Sequence, residues 1–464
     1  MLINDNLYLS LDYIFNLEFV SFYYLLFLGL TFICTFSFKG VYKALILIVM
    51  NFIYIYSYSA YNLIFILIYA LIVYLISVNL KNKPYYNILF LIIGYMVILF
   101  FKYYSLLKID NIFVPIGLSF IILRSIAYLI DIVNNKTKVS KNFIYFLAYI
   151  SYFPVLIHGP LLKADTFFKN LSTKRFSYIN RKSGFFQVVL GMIQIFVVYD
   201  YLNYITTNIF NNKYLFGLNI LLGIYLFSIQ VYIYFDALSN IAIGSSRLIG
   251  IDIKKNFNSP YLAGNIIDFW DRWFISLTSF FKDYIYREIS KGFNNKIIVY
   301  LLIPFTFLLG TIWLIPQPNY LIFGLLHGLF YLIYYYFYKI RKSCKFPYFI
   351  GVIITFTLVS FIWLLIRFDN IASIIDLINR IFIPEFLNID QIGLKVNEII
   401  WLIILIGIIF IIDILRTKYD MLNMFNNFNF IIRWIVYFIL IIVVIVFGVY
   451  GEIYEGVIYV IPRF

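Results

Sequence analysis

Residues 256–288 read NFNSPYLAGNIIDFWDRWFISLTSFFKDYIYRE, from Asn256 to Glu288, and form the longest polar-interrupted segment in an otherwise apolar chain. Ile266, Phe269, Trp270, Trp273, Leu277 and Phe280 recur at spacings of three and four, which lays an apolar stripe along one side of a helix over 266–287. Asp268 and Arg272 stand four apart, as do Ser279 and Asp283. Such a helix carries too many charges to cross hydrocarbon and too many aromatic rings to stand free in water. It belongs in an interface or along an internal cavity, where a membrane enzyme keeps its chemistry. A peripheral amphipathic anchor fits the same pattern.

The composition around this stretch is that of a polytopic membrane protein. Of the 464 residues, 63% are hydrophobic and only 12% charged, beyond what a soluble core of that length requires. Two cysteines, Cys34 and Cys344, exclude a disulfide framework, and with two histidines they offer no metal-ligand spacing. The net charge of +14 comes from Lys and Arg scattered in short loops between apolar runs, which reads as a topology signal and not as a nucleic-acid surface.

Taken in order, apolar runs at 19–38, 42–58, 61–80, 87–104 and 112–130 are each of the length a spanning helix needs, about 20 residues. The first follows Asp5, Asp12 and Glu18, lacks the pattern of a cleaved signal peptide and reads as a retained helix. Lys39 and Lys43, Lys81 and Lys83, and Lys136, Lys138 and Lys141 make alternate loops basic, so the first terminus is expected to face outward. The run 143–159 is followed by another basic loop with Lys163, Lys169, Lys174, Arg175, Arg181 and Lys182, and it contains Pro154, Gly159 and Pro160. A full crossing would put that loop on the wrong side, so a re-entrant or partial segment is expected. Spans then follow at 185–204, 214–235, 297–316, 319–338, 347–366, 398–414 and 430–449. The stretch 256–288 falls on the basic face, while 367–397, with Asp369, Asp376, Glu385 and Asp390, falls outside, together with Glu452 and Glu455. Without a repeat or linker, residues 1–464 read as one all-α transmembrane domain of about a dozen helices.

Asn256-Phe257-Asn258, Pro260-Tyr261, Phe269-Trp270, Arg272-Trp273, Ile275-Ser276-Leu277 and Asp283-Tyr284 resemble the signature of the membrane-bound O-acyltransferase (MBOAT) family. The branch is the one that holds alginate O-acetyltransferases and the D-alanine transfer protein of teichoic acids. Pro115-Ile-Gly-Leu-Ser119-Phe120, the words around Tyr152 to Pro160 and Trp363-Leu-Leu-Ile-Arg367-Phe368 are similar to further words of that family, so the resemblance is strongest over 112–368. It implies a bundle around a central funnel, with the 266–287 region inside it. It also implies acyl transfer to a hydroxyl of an envelope polysaccharide in the bacterial cytoplasmic membrane. No bound cofactor is implied: the acyl donor, of acyl-carrier-protein or acyl-CoA type, is a substrate, and an acyl-carrier protein and an extracytoplasmic acyltransferase are the implied partners beside the lipid bilayer.

Acyl transfer needs a base for the hydroxyl proton, and histidine suits that role near neutral pH. In the family's signature a histidine stands where this sequence has Phe274. In the gap-free word from Phe307 to Gly328, Leu314 stands at the family's invariant histidine, while His327 matches a second histidine. Neither Phe274 nor Leu314 accepts a proton. His327 and Asp236 are therefore the candidate catalytic residues, with Asp236 displaced by two positions from the carboxylate of the word Tyr234 to Gly244. Each has a plainer reading, as a helix-packing histidine and as a structural hydrogen-bond acceptor for Ser239 or Asn240. Arg272, if not paired to Asp268, is placed to hold a phosphate or acyl carbonyl, and Trp273, Ser276 and Asn319 complete the implied substrate-binding set. His158, beside the Gly159-Pro160 break, reads as a cap for freed carbonyls or as another catalytic candidate. Two functions stay open: an acyltransferase with a rearranged site, or a catalytically silent relative that acts as scaffold, carrier-binding partner or regulator. A transporter is disfavoured by the lack of repeats.

Overall fold

The computed structural model describes residue 17 and residues 19–448, apart from 81–82, 84, 107–113, 141, 173–177, 315–316, 341–346, 369, 388, 394, 420–423 and 426. Asp5, Asp12, Glu18, Lys81, Lys141, Lys174, Arg175, Cys344, Asp369, Glu452 and Glu455 thus lie outside the described residues. Among the described residues every regular element is helical, and nine helices are long and apolar enough to cross a membrane. Phe22–Thr35 and Gly40–Tyr56 are shorter apolar helices. The spans expose Ile, Leu and Phe on their outer faces, as at Ile64, Ile403 and Ile439, because lipid and not water is their solvent. The chain packs as two compact units, one made of Met1–Phe185 with Ala242–Lys254 and one of Phe186–Ile241 with Lys255–Phe464.

In the first unit the run 143–159 is a partial segment, as its prolines lead one to expect. A helix covers Phe143–Ile150 and gives way to a single tight turn at Phe153–Val155. Continuing the helix would require an N–H at residue 154 for the carbonyl of Ile150, and proline has none. The fully buried Arg124 fills that role: its Nη2 donates to Ile150 O at 2.8 Å and its Nη1 to Tyr149 O at 3.2 Å. Asn51 stitches the other side, accepting from Phe153 N at 3.2 Å and donating to Ser151 Oγ at 3.0 Å. Two polar side chains from other helices thereby satisfy the backbone that the proline freed.

Two further departures from the sequence reading matter. The expected span 214–235 is the first part of a 33-residue helix, Gly217–Ile249, because the polar run from Asp236 onward is buried among partners and does not end it. The expected single helix over 266–287 is broken. It forms Ile266–Arg272, then Ile275–Phe280 running into a π-helical turn, Phe281–Tyr286, and Arg287–Ser290. The break is at Phe274, which takes a left-handed conformation (φ 43°, ψ 54°) that a bulky side chain rarely adopts. Asn256 holds it: its backbone O accepts from Ile275 N at 2.7 Å and its Oδ1 from Ser276 N at 3.1 Å. Nearby, Lys296–Leu314 and Pro318–Tyr335 pack as a tight helical pair. The closeness rests on Gly324 and Gly328, one turn apart. A Cβ at Gly328 would stand 2.5 Å from Pro304 Cα, and one at Gly324 would stand 2.6 Å from Thr311 Oγ1.

Candidate functional site

The second unit gathers most of the sequence candidates, in two distinct settings. His327 lies on Pro318–Tyr335, between the two glycines that let that helix close on its neighbour, and is fully buried. Its ring is enclosed by Phe323 at 4.5 Å, Trp270 at 5.0 Å, Trp363 at 6.3 Å and Phe269 at 6.4 Å between centroids. Among the described residues neither ring nitrogen has a hydrogen-bond partner, and the buried indole N–H of Trp270 has none either. An imidazole always carries at least one donor, and a buried polar group without a partner costs about 1–3 kcal/mol. Packing alone does not account for a histidine at this position, since a phenyl ring would fill the nest without that penalty.

Asp236 has the opposite surroundings. Its Oδ2 accepts from Gln194 Nε2 at 2.7 Å, Arg416 Nη1 at 2.9 Å and Asn240 Nδ2 at 3.1 Å, and Asn240 also donates to Gln194 Oε1 at 2.8 Å. Gln194 opens the π-helical turn Gln194–Tyr199, whose widened register is a common device for re-aiming a side chain. Arg416 stands 3.7 Å from Asp413, whose Oδ1 accepts from Tyr232 OH at 2.9 Å and whose carbonyl accepts from Ser259 Oγ at 2.9 Å. Two buried carboxylates thus share a half-buried guanidinium and neutral hydrogen-bond donors, the condition under which buried charge is tolerable. Of the two partners weighed for Asp236, Asn240 is one, whereas Ser239 instead accepts from Asn256 Nδ2 at 3.2 Å. Gln194, Asp413 and Arg416 were not singled out in the sequence. The signal was present in each case, a polar side chain inside or ending an apolar run.

Arg272 is corrected by the structure. Its Nε lies 2.7 Å from Asp268 Oδ1, so the guanidinium is paired. The pairing follows from the four-residue spacing within Ile266–Arg272. Trp273 is buried among Phe257, Phe269 and Trp363, with centroids at 5.0–5.4 Å, and bridges the two settings: Phe235, beside Asp236, lies 6.3 Å from Trp273. The Ser276 hydroxyl donates to Asn256 Oδ1 at 2.8 Å. Asn319 donates to Phe368 O at 2.6 Å, joining the start of its helix to the end of Tyr348–Arg367. Phe274 packs against Phe257 at 5.5 Å and Phe235 at 6.1 Å, and Leu314 is the last residue of its helix. His158 belongs to the first unit, 5.4 Å from the Phe19 ring, and burial pushes it down to about 4, so it is neutral at pH 7.

Apolar spans with charged, amide and imidazole side chains turned into the protein define a multi-pass membrane protein with a polar interior. The profile of the family described as MBOAT, membrane-bound O-acyltransferase family, matches residues 50–375, and the chain belongs to that family. It is 29% identical over 269 residues to a probable alginate O-acetylase of Pseudomonas syringae pv. tomato, covering 57% of this chain and 51% of that protein. It is 27% identical over 300 residues to a peptidoglycan O-acetyltransferase of Helicobacter pylori, covering 57% and 56% respectively. A teichoic acid D-alanyltransferase of Bacillus subtilis is 27% identical over 276 residues, covering 54% and 68%. The match spans about half the length of the first two of these relatives.

Proposed function

We propose that this protein transfers an acyl group, of acetyl or D-alanyl type, to a hydroxyl of a cell-envelope polymer, with His327 as the proton acceptor. Family membership and the printed activities of the relatives support the reaction class. The observation that carries the choice of residue is the accounting of hydrogen bonds. His327 is fully buried and neither ring nitrogen has a partner among the described residues, while Asp236 already accepts from Gln194, Asn240 and Arg416. In the step itself the hydroxyl oxygen attacks the acyl carbon of a thioester, the imidazole takes the hydroxyl proton, and that proton passes to the departing thiolate. The donor is of acyl-carrier-protein or acyl-CoA type, and a carrier protein and an extracytoplasmic acyltransferase are the partners this reading calls for.

The same reading sets Phe274 and Leu314 at positions where the family keeps histidines, so the site works in a rearranged form. A silent relative serving as scaffold is the competing function, and the full enclosure of His327 favours it. Transfer of labelled acetyl or D-alanyl groups to envelope polymer separates the two. Label that needs this protein and is lost in His327→Gln supports the relocated base. Label that appears only in a Phe274→His, Leu314→His double variant supports the scaffold.

A further inference from the structure

Within 367–397, expected to fall outside, residues 382–387 are arranged inside out, whereas Asp376 on the preceding helix, Ile371–Ile381, is 71% exposed and pairs with Arg380 Nε at 3.3 Å. In Phe382-Ile383-Pro384-Glu385-Phe386-Leu387 the one charged side chain turns inward. Glu385 Oε2 accepts from Phe216 N at 2.7 Å and from Asn219 Nδ2 at 3.1 Å, while Glu385 O accepts from Leu218 N at 3.2 Å, which caps the start of Gly217–Ile249. The contact is close enough that a Cβ on Gly217, which has φ 53°, would stand 2.6 Å from Glu385 O. Arg380 also turns inward, its Nη1 donating to Asn212 O at 2.9 Å. The apolar side chains point out: Phe386 is 89% exposed, Phe382 79%, and Ile383 and Leu387 47% each, with Tyr214 at 80% on the other side of the clamp.

In water this order is unfavourable twice over, since it partly dehydrates a carboxylate and buries a guanidinium while wetting two phenyl rings. We infer that 382–387, together with Tyr214, lies in the bilayer, at the boundary between acyl chains and headgroups. The clamp fixes the depth. It ties the segment to the first turn of one spanning helix, Gly217–Ile249, just beyond the last turn of another that ends at Asn211, so the patch sits where the spans emerge. Spanning helices likewise expose apolar side chains in their first turns, at Leu218, Val396 and Ile400. Aromatic rings at that level are what membrane interfaces take up. The bilayer therefore covers this face, and the segment holds the starting end of Gly217–Ile249 at a set depth.

The test uses the full-length protein in nanodiscs, with Cys34 and Cys344 replaced by serine and an environment-sensitive fluorophore on Phe386→Cys or, as a second variant, Phe382→Cys. A probe on Asn294→Cys, at an exposed loop position, serves as the aqueous reference. The expected result is blue-shifted emission at 386 and 382, quenching by brominated phospholipid and loss of quenching by aqueous iodide, none of which occurs at 294. Iodide quenching at 386 and 382 equal to that at 294 overturns the inference. So does protection that appears only when a protein partner is added, which would assign the patch to that partner.

Discussion

Arg416 Nη1 lies 2.9 Å from Asp236 Oδ2, joining two residues 180 positions apart in the chain. Arg416 falls beyond residue 375, where the family match ends, so a helix outside the matched region supplies the countercharge for a residue inside it. Removing one partner of a buried ion pair strands the other, at about 3–5 kcal/mol. Arg416→Ala is expected to lower the melting temperature in detergent sharply, and Asp236→Asn added to it to recover part of the loss. Equal melting of Arg416→Ala and wild type would mean that the pair contributes nothing to stability.

Gly328 is where the helix bearing His327 meets Pro304 most closely. Gly328→Ala puts a methyl group 2.5 Å from Pro304 Cα and forces the pair apart, an overpacking strain of about 1–3 kcal/mol. Thermal unfolding of the variant is expected to shift downward, whereas Gly407→Ala, with nothing within 4 Å of its added Cβ, is expected to leave the transition in place or raise it.

His158 gives a pH dependence with a definite sign. Its folded value is about 4 against 6.5 when unfolded, so the unfolded chain binds the proton more readily between those limits. The contribution to stability is fully present above pH 6.5 and is lost as the pH falls through about 4. Replacing it in His158→Phe is expected to flatten that part of the melting-temperature profile. An unchanged slope would place the acid sensitivity elsewhere.

Nine of the expected spans were legible because lipid-facing helices must be apolar over about 20 residues. The runs 19–38, 42–58 and 112–130 instead form the shorter helices Phe22–Thr35, Gly40–Tyr56 and Leu118–Val133, the last buried nearly all round. Pro154 revealed the partial segment for an equally local reason, the missing N–H. What stayed hidden was set by distant partners. Gly217–Ile249 outruns its apolar stretch because Asp236 and Asn240 find partners across the unit, and the identity of Arg416 as one of them cannot be read from local pattern. The break at Phe274 carries no signal either. Glycine or asparagine would have marked a left-handed residue, whereas here Asn256, eighteen positions earlier, holds the turn. The inward turn of Glu385 was likewise invisible, since a carboxylate between spans reads as solvent-facing until its acceptor role at a helix start is seen.

The central claim concerns His327, and purified full-length protein in proteoliposomes, supplied with radiolabelled acyl thioester and envelope polymer, tests it most directly. The wild type is expected to transfer label, and His327→Gln to lower the rate by about 100- to 10,000-fold, the range for loss of a positioned base, with its melting temperature kept. Asp236→Asn is expected to affect melting more than chemistry. Transfer by a folded His327→Gln protein at the wild-type rate would contradict the assignment.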